Sequence, residues 1–222
     1  MAMITLNNIC MNYGKAENMV HALSDINLEI HQGDCTAVIG KSGCGKSTLM
    51  NILGGITSPT SGEYHFNDRL VSNCSVNELS KFRNQNIGFV VQHFALIPDI
   101  TVSQNIELPL KYRGMKKSER CERVSELLEQ MELTEKEDNY PYELSGGQNQ
   151  RVAIARAIAG KPSLLLADEP TGALDEETGR KIMQLFLELN RLGMTILIVT
   201  HDKDIADMCR KKISMKDGKI LQ

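Results

Sequence analysis

A glycine-rich segment at residues 40–48 constrains the fold of this chain more than any other part of its 222-residue sequence. It reads Gly-Lys-Ser-Gly-Cys-Gly-Lys-Ser-Thr, which matches the pattern G-x-x-x-x-G-K-[ST]. The apolar run Cys35–Ile39 before it is typical of a buried strand, and residues 48–53 after it are typical of a helix. Glycines let such a loop turn its backbone N–H groups towards one point, and the following helix adds a positive N-terminal end. The segment therefore predicts a binding site for phosphate groups.

Two side chains at the end of this loop have the chemistry that the phosphates of a nucleotide require. Lys46 is expected to neutralise the β- and γ-phosphates, and the Ser47 hydroxyl is expected to bind Mg²⁺. The alternative is a glycine-rich turn that matches by chance, but it does not account for the strand and helix on either side. The predicted phosphate-binding residues are Gly40, Lys41, Ser42, Gly43, Cys44, Gly45, Lys46, Ser47 and Thr48.

Cys44 lies inside this loop, between two glycines. A thiol at a helix N-terminus beside a lysine is expected to be reactive, so we expect Cys44 to react faster than the other cysteines. The alternative is an inert thiol that points into the core. The other five are Cys10, Cys35, Cys74, Cys121 and Cys209. Because no two cysteines form a C-x-x-C pair, the sequence predicts reduced thiols rather than a zinc site or a disulfide framework.

A second apolar run, residues 164–167, delivers two carboxylates at its end. Ligands of open α/β sheets bind at the carboxyl ends of the strands, where this pair would lie. Asp168 is then the predicted Mg²⁺ ligand and Glu169 the predicted general base that activates water. Alone, an acidic pair after a strand would be read as a solvated turn. Together with the phosphate-binding loop, it predicts a P-loop nucleotide hydrolase.

The order of the apolar patterns predicts an α/β fold. Residues 163–167 and 195–199 are continuous apolar runs typical of strands buried on both faces, and the amphipathic segment 177–192 separates them, as in a parallel sheet covered by helices. The first thirty residues instead alternate apolar and polar, which predicts an antiparallel β subdomain. We expect one domain over residues 1–222, with a P-loop core of mixed or parallel sheet at 1–102 and 163–222 and an inserted helical lobe at 103–162.

Composition and charge exclude several classes of protein. A net charge of −3 gives no sign of a nucleic-acid-binding surface, so no nucleic-acid partner is expected. No apolar run approaches the roughly 20 residues of a membrane-spanning helix. The first residues lack the basic and apolar parts of a signal peptide, and the sequence therefore predicts a cytoplasmic protein.

Residues 144–148, Leu-Ser-Gly-Gly-Gln, resemble the signature motif of the ABC ATPase family. They place a serine hydroxyl and backbone N–H groups before a predicted helix at 150–159, which would make a second anion site. A glycine helix cap is the alternative interpretation. The resemblance implies that Ser145, Gly146, Gly147 and Gln148 bind the γ-phosphate of ATP held by another copy, and hence a head-to-tail homodimer that binds Mg²⁺ and ATP.

Other segments match the family in the same order along the chain. The resemblance implies that Gln92 contacts Mg²⁺ and the attacking water, that Asp175 lies at the subunit interface, and that His201 contacts the γ-phosphate. It also implies that Tyr13 stacks on adenine, although a surface tyrosine competes as an interpretation. A lone histidine after a strand is often incidental, but His201 follows the last predicted parallel strand.

Finer similarities, at residues 13–14, 21–23, 96–98, 105–110 and 168–175, resemble the branch that serves lipoprotein release, macrolide efflux and antimicrobial-peptide export. This implies a separate integral membrane permease and a position at the inner face of the cell membrane. Phe94, Leu96, Ile97 and Pro98 are candidates for the docking site of that permease, and packing inside the lobe is an equal alternative. The cargo and the direction of transport stay open.

Two other classes compete with a transporter subunit. A soluble ABC ATPase that acts on DNA or ribosomes would be expected to have long coiled-coil arms or tandem cassettes, and this chain has neither heptads nor a second cassette. A small-molecule P-loop kinase would not need the residues 144–148. The sequence therefore favours the ATP-hydrolysing subunit of a transporter.

Overall fold

Two β-sheets form the framework of the protein in the computed structural model, which describes residues 2–14 and 18–221. The larger sheet has the strand order β10-β9-β3-β8-β7-β6, and the smaller has the order β2-β1-β4-β5. The strands are β1 Ala2–Tyr13, β2 Val20–His31, β3 Cys35–Ile39, β4 Ser61–Phe66, β5 Arg69–Leu70, β6 Ile87–Val91, β7 Leu164–Asp168, β8 Thr195–Thr200, β9 Lys211–Lys216 and β10 Lys219–Leu221.

Seven α-helices accompany the sheets among the described residues. They are α1 Lys46–Leu53, α2 Val76–Asn86, α3 Val102–Tyr112, α4 Lys117–Gln130, α5 Gly146–Ile158, α6 Glu176–Arg191 and α7 Lys203–Asp207. Short 3₁₀ turns at Thr134–Lys136 and Pro141–Glu143 connect α4 to α5. Within the described ranges, no helix is both long and apolar enough to cross a membrane.

The smaller sheet confirms the antiparallel subdomain that the alternating pattern predicts. β1 and β2 are antiparallel, with Ile4 opposite Ile30 and Leu6 opposite Leu28. Ile4 and Ile30 are buried, because alternate residues of a strand face the same side of the sheet. This sheet covers one side of the phosphate-binding loop, since β2 residue Ala22 lies against it.

The larger sheet brings four distant segments to one edge. β3, β8, β7 and β6 are parallel, so their carboxyl ends meet. Ile39 lies opposite Thr200, and Asp168 lies opposite both Val199 and Val91. The segments that follow these strands hold the phosphate-binding loop, Gln92, Glu169 and His201. β9 is also parallel to β3, and β10 is antiparallel to β9, so the sheet is mixed, which fits the predicted fold class.

The segment predicted as a helical lobe contains α3, α4 and α5. Their apolar residues share one hydrophobic cluster with β3, β7 and β8, including Ile106, Leu127 and Ile154. The division into core and lobe at residues 103 and 162 stays a proposal. One boundary was wrong: the helix expected at 150–159 begins at Gly146, because Ser145 caps it through a hydrogen bond from Gln148 N to Ser145 Oγ at 3.3 Å.

Candidate functional site

A cleft of about 620 Å³ opens at the carboxyl edge of the larger sheet. It gathers predicted site residues as far apart in the sequence as Ser42 and His201, because the parallel strands end together. The predicted site residues on its walls are Ser42, Gly43, Gly45, Lys46, Ser47, Thr48, Gln92, Asp168, Glu169 and His201. Ala22 and Val199 complete the lining.

The backbone of the phosphate-binding loop requires glycine at two positions. Gly45 has φ of +103°, and a Cβ there would lie 2.6 Å from the carbonyl oxygen of Ala22. A Cβ on Gly40 would lie 2.4 Å from the carbonyl oxygen of Met215. Both distances are shorter than any side chain tolerates, so only glycine lets the loop fit between β2 and β9. Gly45 also accepts the first α1 hydrogen bond, from Leu49 N at 2.9 Å.

Lys46 folds back over this loop. Its Nζ donates to the carbonyl oxygens of Gly40 at 2.7 Å and Lys41 at 3.1 Å, and the side chain is buried. Both acceptors are neutral carbonyl oxygens, and none of the ion pairs among the described residues includes Lys46. It is therefore available for an anion in the cleft.

Glu169 has an unusual backbone and several hydrogen-bond donors on its carboxylate. Its φ is +46°, and its N–H donates to the carbonyl of Val199 at 2.9 Å. One carboxylate oxygen accepts from Thr200 Oγ1 at 3.1 Å, and the other accepts from His201 N at 3.0 Å. His201 Nδ1 lies 2.7 Å from that second oxygen. A strained residue held by its surroundings is a common feature of active sites.

Asp168 lies at the end of β7, beside Ser47. Desolvation and the neighbouring Glu169 carboxylate raise the pKa of Asp168 above its ordinary value, although Lys46 and a hydrogen bond from Ser47 partly oppose this rise. The hydroxyl of Ser47 and the carboxylate of Asp168 are thus neighbouring oxygen donors. Oxygen donors of this kind suit Mg²⁺, so the residues present fit the predicted metal.

Gln92 and His201 lie on opposite sides of Asp168 and Glu169, because β7 lies between β6 and β8 in the sheet. Gln92 follows β6, and its side chain packs against Gly172, where a Cβ would lie 2.8 Å from Gln92 Nε2. His201 follows β8, and 72% of its side chain is exposed. Thr200, which binds Glu169, was missed by the sequence analysis. Its hydroxyl stands at the last position of a buried strand, directly before His201, and this position could have indicated a role in the site.

Ser145, Gly147 and Gln148 line a different cleft, of about 450 Å³, between α5 and α6. Gln148 Oε1 accepts from Ser145 N at 2.9 Å, which completes a capping box at the start of α5. Gly147 packs against Thr178 of α6, where a Cβ would lie 2.6 Å from its methyl group. Thus the two predicted phosphate-binding segments, at the starts of α1 and α5, face separate clefts.

Asp175 and Tyr13 lie outside the residues that line the cleft with Lys46. Asp175 caps α6 by accepting from Thr178 N at 2.9 Å, and this hydrogen bonding lowers the pKa of Asp175. Tyr13 ends β1 and is 42% exposed.

The structure favours the alternative interpretation of Cys44, a thiol that points into the core. Only 5% of Cys44 is exposed, and its sulfur belongs to the apolar cluster beneath the loop. The backbone of Cys44 stays in the loop, but its side chain points away from the cleft. Cys121, in contrast, is exposed on α4.

The arrangement places cationic, acidic and glycine-rich segments together where a parallel sheet binds nucleotides. This geometry defines the class: a P-loop nucleoside triphosphatase. Comparison with known proteins identifies the family within that class. The family model described as ABC transporter matches residues 23–172, and the chain belongs to this family.

Relatives over the full chain support the same assignment. The chain is 46% identical over 219 residues to the ABC transporter ATP-binding protein YknY of Bacillus subtilis strain 168, covering 99% of this chain and 95% of that one. It is 47% identical over 223 residues to the ABC transporter ATP-binding protein MJ0796 of Methanocaldococcus jannaschii, covering 98% of this chain and 95% of that one.

A solved structure also matches. The dimeric post-hydrolysis structure of the ATP-binding cassette MJ0796, bound to ADP and Pi, has a TM-score of 0.90 at 43% identity and covers 99% of this chain and 97% of that one. The protein is therefore an ATP-binding subunit of an ABC transporter and an ATPase, as the sequence predicts.

Proposed function

We propose that two copies of this chain close head to tail around two Mg-ATP molecules and that their ATPase cycle drives a separate membrane permease. The main support for the dimer is that Lys46 and Ser145 line two separate clefts of one chain. A second copy can bring its Ser145 cleft over the first copy's nucleotide. The dimeric MJ0796 structure, with 43% identity, supports this arrangement.

Within each site, we assign the phosphates to the loop and the metal to its neighbours. The backbone N–H groups of residues 40–48 and the Lys46 ammonium bind the β- and γ-phosphates. Ser47, Asp168 and Gln92 would hold Mg²⁺, which supplies charge neutralisation to the phosphates when it is bound. Lys46 leaves its carbonyl partners Gly40 and Lys41 for the phosphate oxygens, because an anion is the stronger acceptor.

In the hydrolytic step, Glu169 is the general base. Thr200 and His201 hold its carboxylate in a fixed orientation, from which it can accept a proton from the attacking water. His201, which is exposed towards the cleft, contacts the γ-phosphate. Ser145, Gly146, Gly147 and Gln148 of the second copy bind that phosphate from the other side, and Asp175 lies at the interface between copies.

Ser145→Arg tests the shared site. Since Ser145 lies outside the cleft of its own chain's Lys46, the substitution should leave ATP binding by the monomer unchanged. A bulky cation at the cap of α5 should nevertheless prevent the second copy from closing, and turnover should be lost. Equilibrium dialysis with ATP and a phosphate-release assay measure the two effects. Full turnover in the variant would contradict the head-to-tail dimer.

We place the dimer at the inner face of the cell membrane, bound to a permease. The macrolide export ATP-binding/permease protein MacB of Mannheimia succiniciproducens supports this partner, since the chain is 43% identical to it and spans 34% of its length. The alternative is an ABC ATPase with a soluble partner such as DNA or ribosomes. Purification of the tagged chain from detergent-solubilised membranes, with an integral membrane protein in constant ratio, distinguishes the two.

Tyr13→Ala tests the proposed adenine contact. Base–aromatic stacking contributes roughly 1–3 kcal/mol, so the Kd for ATP should rise by about tenfold. Turnover at saturating ATP should stay nearly constant, because stacking on adenine stabilises ground and transition states alike. Tyr112→Ala, at a tyrosine that is 76% exposed on α3, is the matched control. Equal Kd values for both variants, measured by calorimetry, would show that Tyr13 is a surface residue that does not contact adenine.

A further inference from the structure

The turn that follows Gln92 has a strained backbone. Phe94 and Ala95 are consecutive non-glycine residues with φ of +60° and +47°. Ala95 N donates to the carbonyl of His93 at 2.6 Å, only two residues back, and Phe94 N donates to Val91 at 3.1 Å. Two neighbouring side-chain-bearing residues rarely adopt this left-handed conformation. It persists only where surrounding groups hold it.

Arg156 of α5 is the group that holds this turn. Its guanidinium donates to the carbonyl of Ala95 at 2.6 Å and to the carbonyl of Phe94 at 2.8 Å. Burial lowers the pKa of Arg156 below its ordinary value. Among the described residues, none of the ion pairs includes Arg156. Its charge is therefore directed at the two carbonyls of the turn.

The helix that carries Arg156 is itself fixed against the site. Gln150, fully buried on α5, donates to the carbonyl of Pro170 at 2.7 Å, one residue after Glu169. On the far side of the turn, buried Asn105 of α3 binds both N–H and C=O of Ile97. The turn is thus held at Ala95 by α5 and at Ile97 by α3. Gln92 lies between β6 and this turn, two residues before Phe94, and its side chain packs against Gly172.

We propose that Arg156 is a positioning residue that acts through Gln92, by locking the Phe94–Ala95 turn so that the Gln92 amide reaches the reacting end of the nucleotide. The proposal rests on the function proposed above, in which Gln92 serves the metal and the attacking water. Arg156 contacts no nucleotide itself, since it does not line the cleft with Lys46. Its loss should therefore slow turnover and leave the phosphate-binding loop intact.

A double-mutant cycle of Arg156→Met and Gln92→Ala tests this. Misplacement of a catalytic group by about 1 Å can lower the rate roughly 10²-fold, so Arg156→Met alone should lower kcat by about 10- to 100-fold. KM for ATP should change little. In the Gln92→Ala background, Arg156→Met should have almost no further effect on kcat, because the side chain that it positions is already absent.

Arg113→Met is the matched control. Arg113 also donates to backbone carbonyls, those of Asn84, Gln85 and Gly160, but it does not contact the turn. It should reduce stability without changing kcat per folded molecule. Arg156→Lys keeps a cation that can reach one carbonyl, and it should recover part of the lost kcat. If Arg156→Met does not fold, Arg156→Lys takes its place in the cycle.

Three outcomes would overturn the proposal in distinguishable ways. If Gln92→Ala lowers kcat but the Arg156 substitution lowers it further by the same factor in both backgrounds, Arg156 acts through another route. If Gln92→Ala leaves kcat unchanged, the role proposed for Gln92 fails, and the role of Arg156 fails with it. An equal loss of kcat in Arg113→Met would likewise assign the effect to general destabilisation.

Discussion

Glu169→Gln is expected to lower ATP turnover by roughly 10²–10⁴-fold, because an amide cannot accept the proton of the attacking water. Glutamine has nearly the same shape as glutamate, and its carbonyl oxygen can still accept from Thr200 Oγ1, which now lies 3.1 Å from the carboxylate. The phosphate-binding loop and Lys46 are unchanged. ATP should therefore bind normally and persist, and phosphate release under saturating ATP measures the loss.

The same substitution should trap an ATP-bound dimer. If each γ-phosphate joins Lys46 of one copy to Ser145 of the other, slow hydrolysis keeps the two copies together. Size-exclusion chromatography with ATP should show a dimer for Glu169→Gln and a monomer for Glu169→Gln combined with Ser145→Arg. Glu122→Gln, an equivalent change on the exposed face of α4, is the control for turnover. A Glu169→Gln variant that stays monomeric at high concentration would contradict the shared site.

Gly45→Ala is expected to abolish nucleotide binding by displacing the phosphate-binding loop. The added methyl would lie 2.6 Å from the carbonyl oxygen of Ala22 and 2.8 Å from a methyl of Leu23. The Ala22 carbonyl belongs to β2 and cannot move freely, so the loop must shift. A displacement of about 1 Å lowers kcat/KM by roughly 10²-fold or more, since Lys46 and Ser47 follow Gly45 directly.

Gly193→Ala separates this clash from backbone strain. Gly193 has φ of +97°, close to the +103° of Gly45, but a Cβ there meets nothing within 4 Å. Both variants should lose about 1–2 kcal/mol of stability through the left-handed conformation. Only Gly45→Ala should lose ATP affinity, as measured by calorimetry at a temperature where both variants are folded. Equal affinity in the two variants would show that the loop tolerates the shift.

Much of the fold could be predicted because its signals are local. The runs Cys35–Ile39, Leu164–Asp168 and Thr195–Thr200 are continuous apolar strands, and the structure bears them out with at most one residue of difference at an end. The predicted start of α5 was too late because the glycines at 146 and 147 disfavour a helix. The capping box from Ser145 to Gln148 overrides that preference.

The remaining features depend on distant parts of the chain. The Cys44 thiol lies close to Gly40, where the loop passes the carbonyl of Met215, and no pattern within residues 40–48 reveals this contact. The same holds for Arg156, which sits within an ordinary helix sequence. Its two carbonyl acceptors come from a turn 61 and 62 positions earlier. Contacts of this range follow from tertiary packing, and no periodic pattern in the sequence predicts them.

The position of β3 in the sheet has a consequence for how the protein is made. Its neighbours are β8 and β9, which lie more than 150 residues later in the chain. A ribosome that has completed the phosphate-binding loop has therefore synthesised neither of the strands that hold it. Such distant pairings form late, because a long loop must close before they contribute. We therefore expect the nascent chain to bind ATP only after β8 and β9 have emerged, so that nucleotide does not guide the earlier steps of folding.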